Sequence, residues 1–459
     1  MDFFSTRGAA QPRKITELFT RGLAEDGGLF TPNHWPSLES AKLSASKSYS
    51  YPELCWSILS QFITDHEDRE FYRSSILEAF EGFGKDPSPQ LTLVGSKIWS
   101  LELFNTPTLA FKDYALFPLA RLIDRALQKR KDQATILCAT SGDTGASTAA
   151  AFAGMENCRA VVLFPKGRVS EVQRMQITRT GADNIIPIEI DGDFDDCQRL
   201  VKEAFKQKRR TENKLVSVNS INIVRLVLQS TYYFQTALRF EGKSEAVNFI
   251  VPTGNMGNLF SAYIAKLMGA PIGKMIASSN ENDIVPRLFS DQILRPEKTK
   301  ATLSPSMDIQ IPSNLERLIW LNKDKDAVGT QSVYRMLEKD GDVSFRKPEM
   351  ERLMKQFGAF RCSERNAIET MRFYRASTNR YICPHSATAF AVADRVKPEL
   401  DGPIVCIETA HAAKFPEASQ RAFSSQTALP NGLQRLSANA EVFKTSSANL
   451  EDVVRQISF

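Results

Sequence analysis

Lys112 is the residue of this 459-residue chain whose surroundings point most clearly to chemistry. It lies in the run Leu109-Ala110-Phe111-Lys112-Asp113-Tyr114, where apolar neighbours would disfavour the charged form of its amine. An amine with lowered proton affinity can attack an aldehyde and form a Schiff base. The alternative is a lysine whose stem packs at the rim of a helix while its amine stays in water.

A loop with anion-binding character follows a predicted strand at Ala134–Ala139. In Thr140-Ser141-Gly142-Asp143-Thr144, the glycine permits a tight turn, and hydroxyls and free N–H groups stand at the start of a predicted small-residue helix. This arrangement suits a substrate carboxylate. An ordinary strand-to-helix turn with Ser and Thr caps is the alternative.

A second loop of the same design, Gly254-Asn255-Met256-Gly257-Asn258, follows a predicted strand at Val247–Val251. Its glycines let the backbone approach an anion closely, and its Asn side chains and N–H groups can surround a phosphate. It has neither the Gly-Lys-Ser/Thr ending of a Walker loop nor the Gly-x-Gly-x-x-Gly spacing of a dinucleotide site. The loop therefore predicts a compact phosphate site.

One lysine in apolar surroundings and two anion sites are what a pyridoxal phosphate enzyme acting on amino acids requires. The cofactor phosphate would occupy one loop and the substrate carboxylate the other, while Lys112 would hold the cofactor aldehyde. Thr409, after a predicted strand at Pro403–Ile407, is a candidate partner for the ring nitrogen, although a strand-end cap explains it equally well. The predicted cofactor-binding residues are Lys112, Asp143, Gly254, Asn255, Met256, Gly257, Asn258 and Thr409.

The composition excludes several other classes of function. A net charge of +5 and a charged fraction of 24%, without a dense basic tract, predict no nucleic-acid partner. Seven scattered cysteines favour reduced core thiols in a cytoplasmic protein, and four scattered histidines predict no metal site. No apolar run reaches transmembrane length and Asp2 follows Met1, so we expect neither a membrane partner nor a signal peptide.

The positions of the strand-like runs predict the organisation of the chain. From Leu91 onward, short β-branched runs alternate with helical stretches, which predicts an α/β protein with mainly parallel sheets. We expect a lobe at 91–230 that carries the lysine and the carboxylate loop, and a lobe at 231–459 that carries the phosphate loop and a polar C-terminal tail. Residues 1–90 are expected to form a helical N-terminal segment. Further strands are predicted at Lys97–Phe104, Ala160–Phe164, Ile185–Ile190 and Lys274–Ala277.

Motifs along most of the chain resemble those of threonine synthase, a family of two-lobed, fold-type-II pyridoxal phosphate enzymes related to the tryptophan synthase β subunit. The matching segments are Ser5–Gly8, Gly22–Phe30, Phe104–Tyr114, Ser141–Thr144, Phe164–Ser170, Phe194–Gln198, Asn219–Asn222, Gly254–Asn258, Ser304–Ile309, Pro384–Ala387 and Thr409–Phe415. Three positions depart from the family's usual pattern, since Met256, Ser386 and Ala412 stand where Phe, Thr and Pro are common. None of these changes removes a group that the chemistry needs.

The resemblance implies conversion of O-phospho-L-homoserine and water to L-threonine and phosphate, with Lys112 as the catalytic acid and base. The leaving phosphate would need its own cationic residues, for which surface ion pairs are the alternative reading. The substrate-binding residues that we expect are Thr140, Ser141, Gly142, Thr144, Lys166, Arg168, Ser170, Asn219 and Arg225.

A related activity remains the alternative, because Pro384-His385-Ser386-Ala387 also occurs in threonine synthase-like phospho-lyases. Those enzymes would release a 2-oxo acid, ammonia and phosphate, but their phosphate loop and Thr-Ala-His segment are more degraded than here. We expect His385 and His411 to wall the site, and Asp308 and Asn314 to organise a loop that faces the substrate. A monomer and a homodimer are both consistent with the sequence.

Overall fold

Two mainly parallel β-sheets frame the chain in the computed structural model, which describes residues 1–38, 48–207, 214–242 and 246–457. The large sheet contains, in spatial order, Phe357–Arg361, Ile272–Ser279, Val247–Pro252, Ile404–Glu408, Ile98–Glu102 and Gln90–Leu93. The small sheet contains Lys444–Ser447, Ile185–Asp191, Cys158–Pro165, Ala134–Ala139 and Lys214–Val216.

Strand direction and burial agree with the predicted α/β class. Neighbouring strands run parallel in both sheets, except that Gln90–Leu93 is antiparallel to Ile98–Glu102 at the edge of the large sheet. Every residue of Ala134–Ala139 and Val247–Pro252 is buried, as expected for parallel strands that helices cover on both faces. The prediction of mainly parallel sheets is confirmed, and Ala134–Ala139 has the predicted bounds.

Helices supply the crossovers between the parallel strands and the outer layers of both lobes. In the described ranges they are Ile15–Leu18, Tyr51–Ser60, His66–Glu78, Asp113–Arg130, Asp143–Phe152, Glu171–Thr178, Phe194–Gln207, Ile223–Leu238, Gly257–Leu267, Ile284–Asp291, Leu315–Asn322, Ala327–Asp340, Lys347–Gln356, Glu364–Thr378, Pro384–Val396, Pro416–Phe423, Asn431–Leu436 and Leu450–Ile457. None of these helices combines the length and the apolar character that a bilayer crossing requires.

The two sheets are interleaved along the chain. Ile98–Glu102 pairs with Ile404–Glu408 in the large sheet, although it precedes all the strands of the small sheet. At the other end, Lys444–Ser447 returns to the edge of the small sheet beside Ile185–Asp191. Sheet membership therefore crosses the predicted boundary between 91–230 and 231–459, because strand pairing follows tertiary proximity rather than order in sequence.

The N-terminal segment contains helices, as expected, and also an antiparallel sheet that the sequence did not predict. Asp2–Ser5 pairs with Arg13–Lys14 on one side and with Phe30–Pro32 on the other. These strands have four, two and three residues, which is too short for an alternating pattern to be visible in sequence. The helix Tyr51–Ser60 begins with a capping box formed by Ser50 and Glu53.

Candidate active site

A cavity of about 1450 Å³ opens where strands of both sheets end. Its lining includes Thr140, Thr253 and Thr409, each of which directly follows a strand. In α/β proteins, ligands bind at this carboxyl edge of a parallel sheet. Lys112 and residues of both predicted anion loops line the same cavity.

The backbone around Lys112 is fixed by contacts with a distant part of the chain. Lys112 is 8% exposed and stands at the N-terminal cap of the helix Asp113–Arg130. The N–H of Phe111 donates to the carbonyl of Thr409 at 2.8 Å, and the N–H of His411 donates to the carbonyl of Leu109 at 3.1 Å. These two bonds hold the lysine turn against the segment that carries Thr409.

The carboxylate of Asp113 holds the turn from the other side. It accepts hydrogen bonds from the hydroxyl and the N–H of Thr108, both at 2.6 Å, and from the hydroxyl of Ser147 at 2.5 Å. Since Asp113 is fully buried, these bonds replace those that water would make. The network explains why an acidic residue can follow Lys112 in an apolar region.

Asp143 lies between two buried ammonium groups. Its Oδ1 is 2.8 Å from Lys414 Nζ and accepts a bond from Gln173 Nε2 at 2.9 Å, while its Oδ2 is 3.5 Å from Lys112 Nζ. Burial alone would raise the pKa of Asp143, but the charges of Lys414 and Lys112 outweigh it and hold that pKa well below its usual range.

The same surroundings lower the pKa of the Lys112 amine. Burial is the largest cause, and the positive charges of Arg225 and Lys414 add to it against the attraction of Asp143. A neutral amine is therefore more accessible here than on a surface lysine. This is the property that an amine nucleophile and general base requires.

In the carboxylate loop, Thr140 organises the backbone rather than facing a ligand with a free hydroxyl. Its Oγ1 accepts the N–H groups of Gly142 at 2.9 Å and Gly145 at 2.8 Å. Ser141 and Thr144 are half-buried and line the cavity. They stand at the start of the helix Asp143–Phe152, whose first N–H groups have no partner within the helix.

In the phosphate loop, glycine is required because other parts of the chain approach closely. A Cβ on Gly254 would lie 2.6 Å from the carbonyl oxygen of Ser306, and one on Gly257 would lie 3.0 Å from the Cβ of Ser220. Met256 has a φ of 57°, which lets the backbone turn into the helix Gly257–Leu267. The Met that replaces the family's usual Phe thus acts through its backbone, and its side chain is buried.

Unpaired buried donors show that the cavity suits an anionic ligand. Asn258 accepts bonds from the hydroxyls of Tyr232 at 2.5 Å and Tyr233 at 2.8 Å, while its Nδ2 has no partner among the described residues. Arg225 Nε also has none. Buried donors of this kind are costly unless a ligand or water completes them. The lysine, the glycine loop and the Asn258 amide fit pyridoxal phosphate, whereas Arg225 is a buried donor for a second anion.

At the end of the strand Ile404–Glu408, Thr409 faces the cavity, whereas the glutamate before it is paired with an arginine. Thr409 lines the cavity, and its N–H donates to the hydroxyl of Ser386 at 3.1 Å. Glu408 is fully buried and paired with Arg380 at 2.7 Å. Glu408 does not line the cavity, so the polar side chain that this strand end presents to a ligand is the neutral Thr409 hydroxyl.

The candidates for the substrate phosphate divide into two groups. Arg225 is 3% exposed and lines the cavity together with Asn219. Lys166 and Arg168 are exposed on the loop after Cys158–Pro165 and do not line it. Ser170 instead caps the helix Glu171–Thr178 by accepting the N–H of Gln173 at 3.2 Å. Gly142, which was expected in the carboxylate loop, is buried and does not line the cavity.

Arg225 places a guanidinium in the buried wall of the cavity. Its Nη1 donates to the carbonyl of Val218 at 3.0 Å, and within the described ranges no carboxylate lies at ion-pair distance from it. Burial lowers the pKa of Arg225 to about 10, so the guanidinium stays charged at neutral pH. A buried charge of this kind needs an anionic partner, which a phosphate can supply.

The two histidines differ in position. His385 is 4% exposed and lines the cavity, neither ring nitrogen has a partner among the described residues, and burial lowers its pKa to about 4. His411 instead accepts the N–H of Ala413 at 3.2 Å through Nδ1 and packs its ring against Phe104. His385 is thus a wall of the cavity, and His411 is part of the turn behind it.

Asp308 and Asn314 hold loops, as the motifs suggested. Asp308 accepts hydrogen bonds from the side-chain amides of Asn280 at 2.7 Å and Asn282 at 3.0 Å. Asn314 donates through its backbone and its side chain to the carbonyl of Asn255, at 3.1 and 3.0 Å. The second pair of bonds braces the phosphate loop directly.

Lys414 and Gln173 are the site residues for which sequence reasoning gave no role. Lys414 follows Ala412-Ala413 and precedes Phe415, an apolar setting like that of Lys112. That signal was visible in the sequence. The identity of its partner was not, because Asp143 and Lys414 meet only through the fold.

Three family models match this chain over successive ranges. A model described as pyridoxal-phosphate dependent enzyme matches residues 86–339. A model of the threonine synthase N terminus matches residues 2–80, and a model of the threonine synthase C-terminal region matches residues 386–457. The matches include the cavity and the segments on either side of it.

Whole-chain comparisons agree with these models. Threonine synthase of Pseudomonas aeruginosa is 35% identical over 438 residues, which cover 95% of this chain and 93% of that protein. The crystal structure of PLP-bound threonine synthase from Brucella melitensis superposes with a TM-score of 0.94 at 36% identity, covering 100% of this chain and 98% of that one. Yeast threonine synthase superposes with a TM-score of 0.93 at 32% identity, covering 99% and 98%.

Proposed function

This chain belongs to the threonine synthase family of pyridoxal phosphate-dependent enzymes, and we propose that it converts O-phospho-L-homoserine and water to L-threonine and inorganic phosphate. As a member of that family it is a lyase of threonine biosynthesis. The observation that carries the substrate assignment is Arg225, a buried guanidinium that lines the same cavity as Lys112 and has no carboxylate partner among the residues that the structure describes.

The cofactor would be held at three points. The loop Gly254–Asn258 and the start of the helix Gly257–Leu267 would bind its phosphate, Thr409 would face its ring nitrogen, and Lys112 would hold its aldehyde. When bound, pyridoxal phosphate supplies a carbonyl that takes up the substrate amine and a ring that accepts electrons from the α carbon.

Lys112 would then move the protons of the reaction. Its Nζ removes the α-proton of the substrate and serves as the proton carrier for the neighbouring carbons, where phosphate leaves from the γ carbon and water adds at the β carbon. One group can act repeatedly in both directions only if its two protonation states are close in energy. The lowered pKa of the buried Lys112 amine meets that condition.

Two further parts of the cavity would orient the substrate. Ser141 and Thr144, at the start of the helix Asp143–Phe152, would bind the carboxylate. Arg225 and Asn219 would bind the phosphate and stabilise its charge as it leaves. Since both groups are anionic and at opposite ends of the substrate, these contacts fix its direction in the cavity.

Product analysis tests the reaction itself. The enzyme loaded with pyridoxal phosphate should release inorganic phosphate from O-phospho-L-homoserine with an equal amount of L-threonine. A phospho-lyase would instead release phosphate with ammonia and a 2-oxo acid. Phosphate release without threonine would therefore contradict the proposal and favour that alternative.

Replacing Arg225 tests the phosphate assignment. Arg225→Ala should lower kcat/KM for O-phospho-L-homoserine by about one to two orders of magnitude, because it removes a charge-assisted contact worth about 1.5–3 kcal/mol. The affinity for pyridoxal phosphate should stay near that of the parent, since the cofactor phosphate has its own loop. Vinylglycine, which has no phosphate to lose, should be processed nearly as well by the variant as by the parent.

Arg168→Ala is the matched control, because it removes the same charge from a loop outside the cavity wall. It should change kcat/KM less than about threefold, in the range of exposed charges. Equal losses with vinylglycine and the phosphorylated substrate would show that Arg225 supports the fold or the carboxylate instead.

We propose a cytoplasmic enzyme, which is supported by seven buried cysteines that are all free thiols. We propose a monomer or a homodimer, and sedimentation of the loaded enzyme distinguishes them.

A further inference from the structure

The carboxylate loop contains a charge that should oppose its own ligand. Asp143 lies between Gly142 and Thr144 in this loop and is 3% exposed. A substrate carboxylate bound by Ser141 and Thr144 would therefore lie close to a buried carboxylate. Like charges repel strongly when both are withdrawn from water.

Lys414 provides the compensating charge. It lies in the short helical turn Ala412–Lys414 beyond the large sheet, its side chain is fully buried, and its Nζ is 2.8 Å from Asp143 Oδ1. The same Nζ donates to the carbonyl of Thr108 at 2.8 Å, which fixes its direction. Lys414 does not line the cavity, so it acts on the ligand through Asp143.

The remaining charges around this pair make the compensation specific. Lys112 faces Asp143, and the positive charge of Arg225 acts on Lys112. His385 interacts electrostatically with Asp143, Lys112 and Lys414. Asp113 follows Lys112 in the chain. The Asp113 carboxylate is already saturated by Thr108 and Ser147. Without Lys414, the negative charge of Asp143 would be shared with Lys112 alone.

We propose that Lys414 is a positioning residue that neutralises Asp143, so that the loop accepts the substrate carboxylate and Lys112 is not held as the sole counter-ion of Asp143. The proposal rests on the proposed function in one respect, namely that the ligand of the loop is an α-amino acid. It assigns Lys414 a role in ligand binding through Asp143, beyond that of a buried structural lysine.

Lys414 can be replaced without leaving its hydrogen-bond partners unpaired. If Lys414 is replaced by Met, the carbonyl of Thr108 keeps the bond from Gln176 Nε2 at 2.9 Å. Asp143 Oδ1 likewise keeps the bond from Gln173 Nε2 at 2.9 Å. Methionine has a similar length and fills the apolar part of the space.

A double-mutant cycle with Lys414→Met and Asp143→Asn tests the proposal, using L-threonine as the probe ligand of the loaded enzyme and cofactor absorbance as the readout. Lys414→Met should weaken L-threonine binding by about 10- to 100-fold, because Asp143 loses its closest counter-ion and its charge then repels the carboxylate of the ligand. Adding Asp143→Asn should return the affinity to within about fivefold of the parent. A structural role for Lys414 would give no such recovery.

The apoenzyme gives a second readout that does not depend on turnover. The pH midpoint for trapping Lys112 with pyridoxal phosphate and borohydride should rise by about one unit in Lys414→Met, because Asp143 then attracts Lys112 alone. The midpoint should return towards that of the parent in the double variant. An unchanged midpoint together with unchanged L-threonine affinity in Lys414→Met would overturn the proposal.

Two further outcomes are decisive. If Lys414→Met does not fold, the comparison is made in the Asp143→Asn background, where the second substitution should change L-threonine affinity by less than about fivefold. A large loss in that background would overturn the proposal. Production of L-threonine by the parent is measured in parallel, so that failure of the proposed function is recognised separately.

Discussion

The two anion loops share a backbone plan and differ in how they are charged. Gly254–Asn258 and Thr140–Thr144 each follow a buried strand and lead into a helix, Gly257–Leu267 or Asp143–Phe152. The first contains only neutral side chains, whereas the second contains a buried carboxylate. The same strand–loop–helix unit would thus suit two anions by different means.

The neutral loop depends on shape. The backbone of Ser306 and the side chain of Ser220 approach its two glycines, and Asn314 braces the carbonyl of Asn255. Fixed N–H donors at a helix start suit a phosphate that stays bound through many turnovers, because they pre-organise its site without a charge of their own.

Ligand binding by the charged loop would depend on the balance of opposite charges around Asp143. Asp143, Lys414 and Lys112 form a row of alternating charges beside the hydroxyls of Ser141 and Thr144. A substrate that must enter and leave needs a site whose net attraction is moderate. Because Lys414 neutralises Asp143, this pair would set both the attraction of the loop for a substrate carboxylate and the pKa of Lys112.

The largest expected effect comes from adding one carbon to the neutral loop. Gly254→Ala would place a Cβ 2.6 Å from the carbonyl oxygen of Ser306 and 3.1 Å from the Cα of Met307, both of which are backbone atoms. Because backbone cannot move aside cheaply, we expect the affinity for pyridoxal phosphate to fall at least about 100-fold. Titration of the apoenzyme with the cofactor measures this.

Gly432→Ala is the control for that substitution, since a Cβ there would meet no heavy atom within 4 Å. It should leave cofactor affinity unchanged. If Gly254→Ala bound pyridoxal phosphate as tightly as Gly432→Ala, the close packing of the neutral loop would not determine its function.

A smaller effect on ligand affinity is expected in the charged loop when the accepting hydroxyl of Thr140 is removed. Thr140→Val keeps the shape but leaves the N–H groups of Gly142 and Gly145 without their shared partner. We expect L-threonine affinity to fall about tenfold, since one to two kcal/mol of loop order is lost, while cofactor affinity changes by less than about threefold. Absorbance titrations with each ligand measure both numbers.

Thr140→Ser keeps the oxygen and serves as the control for the valine variant. It should bind L-threonine within about threefold of the parent. Comparable losses of cofactor and amino-acid affinity in Thr140→Val would mean that the two loops are not independent, which would weaken the comparison.

Much of the framework was predictable because its strands are continuous apolar runs. Ala134–Ala139 was located to the residue, and Ile185–Asp191 to within one. Lys214–Val216 and Lys444–Ser447 were not predicted, since they are short or polar and exist only through pairing with distant strands. Local patterns cannot show such pairings.

The site was predictable where residue type and local setting determine the chemistry. Lys112, with its apolar neighbours, and the two glycine loops were found in this way and line one cavity. Lys166 and Arg168 were expected at the substrate phosphate because they are cationic and lie in the family motif Phe164–Ser170, but the fold leaves both exposed outside the cavity. The Asp143–Lys414 pair could not be found, because charge compensation between distant segments is a property of the tertiary structure.

The last expected effect concerns stability rather than ligand affinity, and here the charged loop should respond to pH more than the neutral loop. His385 interacts electrostatically with Asp143, Lys112 and Lys414, and burial lowers its pKa to about 4 from an ordinary value of 6.5. Between those values the unfolded chain takes up a proton that the folded chain does not, so stability falls as pH falls through this window.

His385→Gln removes that proton uptake. The free energy of unfolding of the apoenzyme, measured in urea at about pH 7.5 and about pH 5, should fall by about 2 kcal/mol less in the variant than in the parent. Asn258→Ala, in the neutral loop, should show the same pH dependence as the parent. Equal pH dependence in all three proteins would place the acid sensitivity outside the charged loop and remove pH as a distinction between the two sites.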